Sequence, residues 1–424
     1  MKVAVVGAGS TYTPELVSGL ARERERLGVR ELALHDIDAE RLDVVGGLAG
    51  RMLARDGFDG RLQQTLDLDR ALDGASFVLI QIRVGGQAAR LLDETVPLLC
   101  GCIGQETTGA GGLAKALRTV PVVLEIAERA RELAGPDAWI VDFTNPVGIV
   151  TRALLDAGHR AVGLCNVSIG FQRSFARLLG VQPEQVLVDN VGLNHLTWVR
   201  RVLVDGDDVL PELIAEHGDE LAADIDLPRR LLEELGAIPS YYLHYFYAHD
   251  EVLAEQREGV PRAQRVMEIE RELLEMYRDP TLAEKPALLE RRGGAFYSEA
   301  AIGLAASLAG GTGEVHVVDL RNEGTVPGLA ADDVVELPAQ VDRDGAHPLP
   351  QPPLAPELLG LVQHVAAYER LAAEAAVTGD VVTVRKALLA HPLVGQHEYA
   401  DELAERLLAV GAEHLPQFPK GVTA

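Results

Sequence analysis

Short apolar runs set off by glycine and polar residues dominate the first 170 positions. Met1–Val6, Glu31–His35, Phe77–Ile82, Trp139–Phe143 and Ala161–Leu164 each read as a buried strand that stops at Gly, Asp, Arg, Thr or Cys. Helical stretches lie between them. One runs from Thr13-Pro14-Glu15 to about Leu27, with Thr13 as the expected cap and Pro14 at the first helical position, and another covers roughly Leu113–Leu133. Alternating strand and helix predicts an α/β protein built on a doubly wound parallel sheet.

Past residue 170 the regularity fades. Gln185–Asn190 and Thr197–Val204 read as strands, Leu227–Ala300 as mostly helical, Glu314–Val341 as strands and turns, and Pro356–Val410 as a pair of long helices. The expected organisation is a Rossmann-like domain over residues 1–170 and a mixed α+β domain over 171–424, in an architecture like that of lactate and malate dehydrogenases.

Composition narrows the function. The chain has 424 residues and a net charge of −25. Phosphate backbones need a basic surface, so nucleic acid is not an expected partner. No apolar run is long enough to span a bilayer, so no membrane partner is expected either. Three cysteines, an odd and low number, suit free thiols in a reducing compartment. The first strand begins at once and leaves no room for a signal peptide. The expected location is therefore the cytoplasm.

Candidate chemistry sits at the strand ends, where open α/β sheets bind ligands. Gly7-Ala8-Gly9-Ser10-Thr11, between a strand and a helix start, is a phosphate-binding device in which bare N–H groups and the helix dipole face an anion. Asp36, closing the second strand, suits the ribose hydroxyls of NAD and would repel the extra phosphate of NADP. The third glycine of the usual motif is replaced by Tyr12. Arg83 and Arg90, just past a strand end, are candidate anion clamps, Arg83 on the cofactor side. Gly104–Gly112 is a glycine-rich polar loop, and Asn145 is an amide at a strand end. Cys165 and His195 are two soft donors near strand ends, a pair that suits a transition metal. The segment Tyr241–Tyr247 holds four tyrosines, more hydroxyls than a core easily satisfies.

These pieces, taken together, resemble glycoside hydrolase family 4, in its 6-phospho-β-glucosidase branch. The resemblance rests on Val6-Gly7-Ala8-Gly9-Ser10-Thr11, Ile82-Arg83-Val84-Gly85-Gly86, Gly104-Gln105-Glu106-Thr107, Thr144-Asn145-Pro146 and Leu164-Cys165-Asn166. It continues through Gly192-Leu193-Asn194-His195, Tyr242-Leu243-His244-Tyr245, Pro261-Arg262-Ala263 and Asn322-Glu323-Gly324. The resemblance implies a metal, usually manganese, on Cys165 and His195. It implies Tyr242 as the base at carbon 2 of the sugar, and substrate contacts from Arg90, Asn145, Arg262 and Asn166. The α-specific members carry aspartate directly after the metal cysteine; here Asn166 stands there, which favours the β branch and leaves open the identity of any proton donor.

The reaction so implied is NAD- and divalent-metal-dependent hydrolysis of a phosphorylated disaccharide or glucoside, such as cellobiose 6-phosphate. It proceeds by transient oxidation at carbon 3, deprotonation at carbon 2 and elimination of the aglycone, an exception to two-carboxylate glycoside hydrolysis. A homodimer or homotetramer is the implied assembly. The competing expectations are an α-glycosidase or α-galacturonidase of the same family, an NAD-dependent hydroxy-acid dehydrogenase, and a non-catalytic NAD or sugar-phosphate sensor.

Overall fold

The computed structural model describes residues 1–293 and 296–418. Among these residues thirteen strands form one sheet: β1 Lys2–Val6, β2 Glu31–His35, β3 Arg61–Thr65, β4 Phe77–Ile80, β5 Trp139–Asp142, β6 Ala161–Gly163, β7 Val186–Leu193, β8 Leu196–Val204, β9 Asp207–Asp208, β10 Ile238–Pro239, β11 Glu314–Arg321, β12 Val334–Asp342 and β13 Gly345–Pro348. Their order is β10-β8-β7-β12-β11-β6-β5-β4-β1-β2-β3, with β13 on β12 and β9 on β8. The stretch β3-β2-β1-β4-β5-β6 is all parallel, the 3-2-1-4-5-6 arrangement of dinucleotide-binding sheets. The order reverses between β1 and β4, which opens a crevice at their carboxyl ends.

The sheet does not stop at residue 170. β11 pairs antiparallel with β6 at Asp319 and Gly163, and β12 pairs with β7 at Glu336 and Gly192. A single row of residues therefore crosses eight adjacent strands: His35, Val6, Ile80, Asp142, Gly163, Asp319, Glu336 and Gly192. Gly163 is required in this row, because a Cβ there would lie 2.1 Å from Thr151 Oγ1.

Several expectations need correction. Thr13 does not cap the first helix; its hydroxyl donates to the Ala8 carbonyl at 2.9 Å, and the helix Thr13–Arg22 starts with no side-chain cap. Strand β3 carries no apolar run, so periodicity misses it; it is an edge strand held by pairing to β2, with Gln63 and Thr65 turned inward. The expected pair of C-terminal helices is three: Pro356–Thr378, Val381–Ala390 and His397–Gly411. Gly379, at φ 69°, ends the first, and the Asp380 carboxylate accepts from the Val382 and Thr383 N–H groups to start the next. The strand at Phe77 ends at Ile80, two residues early, while β7 continues to Leu193. Leu227–Ala300 is mostly helical as expected, save residues 294–295, which lie outside the described residues. Among the described residues no helix is long and apolar enough to cross a membrane.

Candidate active site

Several candidate side chains of the parallel half sit just beyond the row described above. Val6 leads into the glycine turn, His35 into Asp36, Asp142 into Asn145, and Gly163 into Cys165; Gly192 leads into His195.

At the crevice, Gly7 takes φ 90° and packs so tightly that a Cβ would lie 2.7 Å from the Gln81 carbonyl oxygen. Gly9 is as constrained: a Cβ would meet Asp36 Oδ2 at 2.8 Å. The turn's N–H groups are less bare than the sequence suggests. Gly7 and Ala8 donate to the His35 carbonyl, Ser10 to the Gly7 carbonyl, and Gly9 to Asp36 Oδ2 at 2.7 Å. Asp36 thus braces the turn. The Ser10 hydroxyl accepts from Tyr12 N–H. Thr11 is fully buried and its hydroxyl accepts from Arg292 Nε at 2.8 Å. Ile37, beside Asp36, is 91% exposed, an apolar side chain placed to cover a flat base. Crevice, glycine turn, strand-end acid and bare isoleucine fit a dinucleotide.

Beyond β4 lies a charged cluster. Glu106, almost fully buried, pairs with Arg83, with Lys115 Nζ at 2.6 Å and with Arg90 Nε at 3.2 Å. Burial opposes its ionisation, but Arg83, Lys115 and Arg90 overcome that and hold the carboxyl well below its usual range. Lys115 is pushed down to about 7, first by burial and then by Arg83. Arg90 Nε also binds Glu94 Oε1 at 2.7 Å, and Glu94 Oε2 accepts from Ala263 N–H at 2.7 Å. That contact brings the start of the helix Arg262–Tyr277 to Arg90. Arg262 Nη2 donates to the Arg291 and Arg292 carbonyls. Its pKa is lowered by burial and by the neighbouring positive charges of Arg90, Arg265 and Arg292, so it is a cation in want of an anion.

The third group is the soft one. Cys165 is 5% exposed, and its Sγ lies 3.7 Å from the Tyr297 hydroxyl. Burial and the Glu336 charge push the thiol up, against the pull of the Val167 N–H at the start of the helix Val167–Leu179. His195 occupies the second position of the two-residue turn joining β7 to β8, at φ 63°, a conformation that costs a non-glycine residue and marks functional sites. Gly192 permits it: a Cβ there would lie 2.0 Å from the Leu196 carbonyl oxygen. Burial, and then Lys115, hold the imidazole neutral, down to about 3. Its Nδ1 meets the Thr107 hydroxyl at 2.9 Å, while Nε2 is buried with no hydrogen-bond partner.

Tyr242 is brought over His195 by local pairing. Pro239 pairs with Trp198, Ser240 N–H donates to the Thr197 carbonyl at 2.8 Å, and the Ser240 hydroxyl accepts from Tyr242 N–H. The rings of Tyr242 and His195 stack with centroids 3.6 Å apart. Burial, Tyr241 and Cys165 raise Tyr242 well above the usual phenol value. A base at that position needs a nearby positive charge. Asn145 Oδ1 is buried without a partner, and its side chain bears on the Tyr297 hydroxyl. Asn166 sits at the start of the helix Val167–Leu179, its Oδ1 3.9 Å from Cys165 Sγ. No group of three or more His, Cys, Asp or Glu fit to hold a metal exists among the described residues. A thiol and an unpartnered imidazole nitrogen are nevertheless donors of the kind that would hold a transition metal.

Sequence reasoning missed Glu106, Thr107, Lys115, Arg292 and Tyr297 as parts of the site. Lys115 had a signal, a lone lysine on the apolar face of a helix; Glu106 and Thr107 lie inside the glycine-rich loop already marked. Tyr297 and Arg292 carry none.

Known proteins resemble this chain over nearly its whole length. The family described as family 4 glycosyl hydrolase matches residues 2–181, and its C-terminal domain matches residues 190–394. The chain is 37% identical to the 6-phospho-beta-glucosidase of Escherichia coli (strain K12), over 99% of this chain and 97% of that one. The 6-phospho-beta glucosidase of Thermotoga maritima, solved with manganese, NAD+ and glucose-6-phosphate, superposes with a TM-score of 0.91 at 35% identity, covering 98% of this chain and 99% of the other. Malate dehydrogenase of Plasmodium falciparum, at 15% identity, a TM-score of 0.57 and coverage of 89% and 98%, shares the fold alone.

Proposed function

The chain belongs to the family 4 glycosyl hydrolases, and from that premise we propose that it hydrolyses 6-phospho-β-glucosides, such as cellobiose 6-phosphate, with NAD and a divalent metal, foremost Mn2+, as resident cofactors. One observation carries the reading: a dinucleotide crevice and the Cys165–Tyr242–His195 cluster lie at the ends of strands in a single sheet, joined through Gly163 and Gly192. When bound, NAD supplies a reversible hydride acceptor and the metal supplies the positive charge that a thiol and a neutral imidazole lack.

This chain's residues divide the remaining work. Gly7, Gly9, Ser10, Thr11, Asp36 and Arg83 hold the dinucleotide, and Cys165 Sγ and His195 Nε2 hold the metal. Residues 1–170 form the NAD side, and 171–424 contribute His195, Tyr242 and Arg262. Arg90 and Arg262 grip the 6-phosphate, since guanidinium matches phosphate oxygens bidentately. Asn145 and Asn166 orient the sugar, and the Tyr242 oxygen takes the proton from carbon 2. An amide at 166 cannot donate a proton as a carboxylic acid does, which favours the β-linked substrate. The enzyme works as a homodimer or homotetramer in the cytoplasm.

A substrate panel tests the reading. Phosphorylated and unphosphorylated α- and β-glucosides are assayed with and without NAD and manganese. Hydrolysis of the phosphorylated β-glucosides, dependent on the metal and on NAD in catalytic amounts, is expected. Full activity after both cofactors are exhaustively removed overturns it, as does net NADH production from a hydroxy acid.

A further inference from the structure

The loop at residues 105–108 contains a hydrogen-bond chain whose direction can be worked out atom by atom. Gln105 Oε1 receives the backbone N–H groups of Thr107 and Thr108, the latter at 3.1 Å. Backbone N–H groups only donate, so the atom they face is the amide oxygen and not its NH2. The Thr107 hydroxyl lies 2.8 Å from that same oxygen. An amide oxygen only accepts, so the Thr107 proton points at Gln105. The hydroxyl oxygen is left with lone pairs, and His195 Nδ1 lies 2.9 Å from it. Nδ1 must therefore carry the imidazole proton. Nε2, buried and without a partner, is then left with a lone pair; a proton there would be a buried donor with nothing to bind.

We propose that Thr107, set by Gln105, is a positioning residue that locks His195 in its Nδ1–H tautomer and so presents Nε2 as a ready metal donor. The proposal rests on the assignment of His195 as a metal ligand made above. It gives the glycine-rich loop a task. Gly111 and Gly112 let the loop fold this tightly, since a Cβ at Gly111 would lie 2.3 Å from the Gln105 carbonyl oxygen and one at Gly112 2.7 Å from the Thr107 carbonyl carbon. The lock also restrains the ring of a residue held at φ 63°. The proton on one imidazole nitrogen is set by the partner of that nitrogen. Eighty-eight residues separate Thr107 from His195, so only the fold creates the pair.

The test has two independent readouts. In the metal-free protein with 15N-histidine, the His195 signal, assigned by its loss in His195→Gln, should show a protonated Nδ1 and a bare Nε2. A protonated Nε2 in the wild type overturns the proposal without touching the ligand assignment. Manganese affinity, measured by electron spin resonance of the free ion, should fall about 10–100-fold in Thr107→Val, the range typical of losing a partner behind a metal ligand. Thr107→Ser, which restores the hydroxyl, should recover it, and NAD affinity should stay unchanged in both. Affinity in Thr107→Val within twofold of wild type overturns the lock. If instead His195→Ala keeps full manganese affinity, it is the ligand assignment that fails. Should Thr107→Val not fold, the tautomer signal of the wild type and the serine variant still decide.

Discussion

The phenol of Tyr242 lies flat on the imidazole of His195, their centroids 3.6 Å apart and their planes 17° from parallel. Tyr241 and Tyr245 lie beside Tyr242 itself, with centroids 4.5 Å and 6.4 Å from its ring. Of the four tyrosines between 241 and 247, the ring stacked on His195 is Tyr242. Under the proposed roles, a base and a metal ligand that share a van der Waals contact would respond to the same charge.

If Tyr242 removes the carbon 2 proton, turnover in heavy water places deuterium at carbon 2 of the released sugar phosphate. A two-carboxylate glycosidase leaves that bond intact. Tyr242→Phe should lower turnover at least ~10²-fold, the usual loss for a general base, with NAD and manganese still bound; Tyr241→Phe and Tyr245→Phe should cost much less. NMR of the product sugar is the measurement. Absence of label in the wild type, with a normal rate on carbon-2-deuterated substrate, rules out the elimination route.

Cys165→Ser and His195→Ala should each lose manganese and most turnover while the fold persists. A hydroxyl replaces a thiol poorly toward a soft-leaning site, and alanine removes the imidazole. Metal content after dialysis and thermal melting separate loss of the ligand from loss of the fold. Near-normal turnover at low metal in either variant would refute the pair.

Arg262→Ala should raise KM for phosphorylated β-glucosides by roughly tenfold to a hundredfold, the ~1.5–3 kcal/mol of a charge-assisted hydrogen bond. The rate on unphosphorylated analogues should be nearly unaffected, because the lost partner is the phosphate. Steady-state kinetics on both substrates make the comparison, and an equal loss on both would show that Arg262 does not read the phosphate.

Glu369 should govern part of the pH dependence of stability. Burial pushes its carboxyl up to about 8, against the pull of Arg152, in a chain whose unfolded glutamates titrate near 4.5. Between those values the folded state holds a proton that the unfolded state has released. The contribution to stability is therefore complete below about pH 4.5 and is lost as pH rises toward 8. Glu369→Gln stays neutral, so its melting temperature should fall less than that of wild type between pH 5 and 8. Parallel curves for the two proteins would remove Glu369 as the cause.

The amino-acid sequence by itself determined five of the six strands in the parallel half of the sheet, all but β3. Its strands are short β-rich runs ended by glycine or a polar residue, and that signal is local. It also pointed to the glycine turn, Asp36, Cys165 and His195, because unusual residue types at strand ends are visible without knowing what faces them; it marked the Tyr241–Tyr247 cluster, and only the family resemblance singled out Tyr242 within it. Tertiary structure decided everything that depends on a distant partner. Polar Arg61–Thr65 is a strand only because β2 lies beside it. The strands that lead into Cys165 and His195 belong to one sheet only because β11 and β12 insert between them and pair with Gly163 and Gly192. Tyr297 meets Cys165 across 132 residues, and Thr107 meets His195 across 88. Periodicity reports which face of an element is buried. It carries no record of which hydroxyl will stand opposite which nitrogen, and in this protein that pairing selects the nitrogen left free.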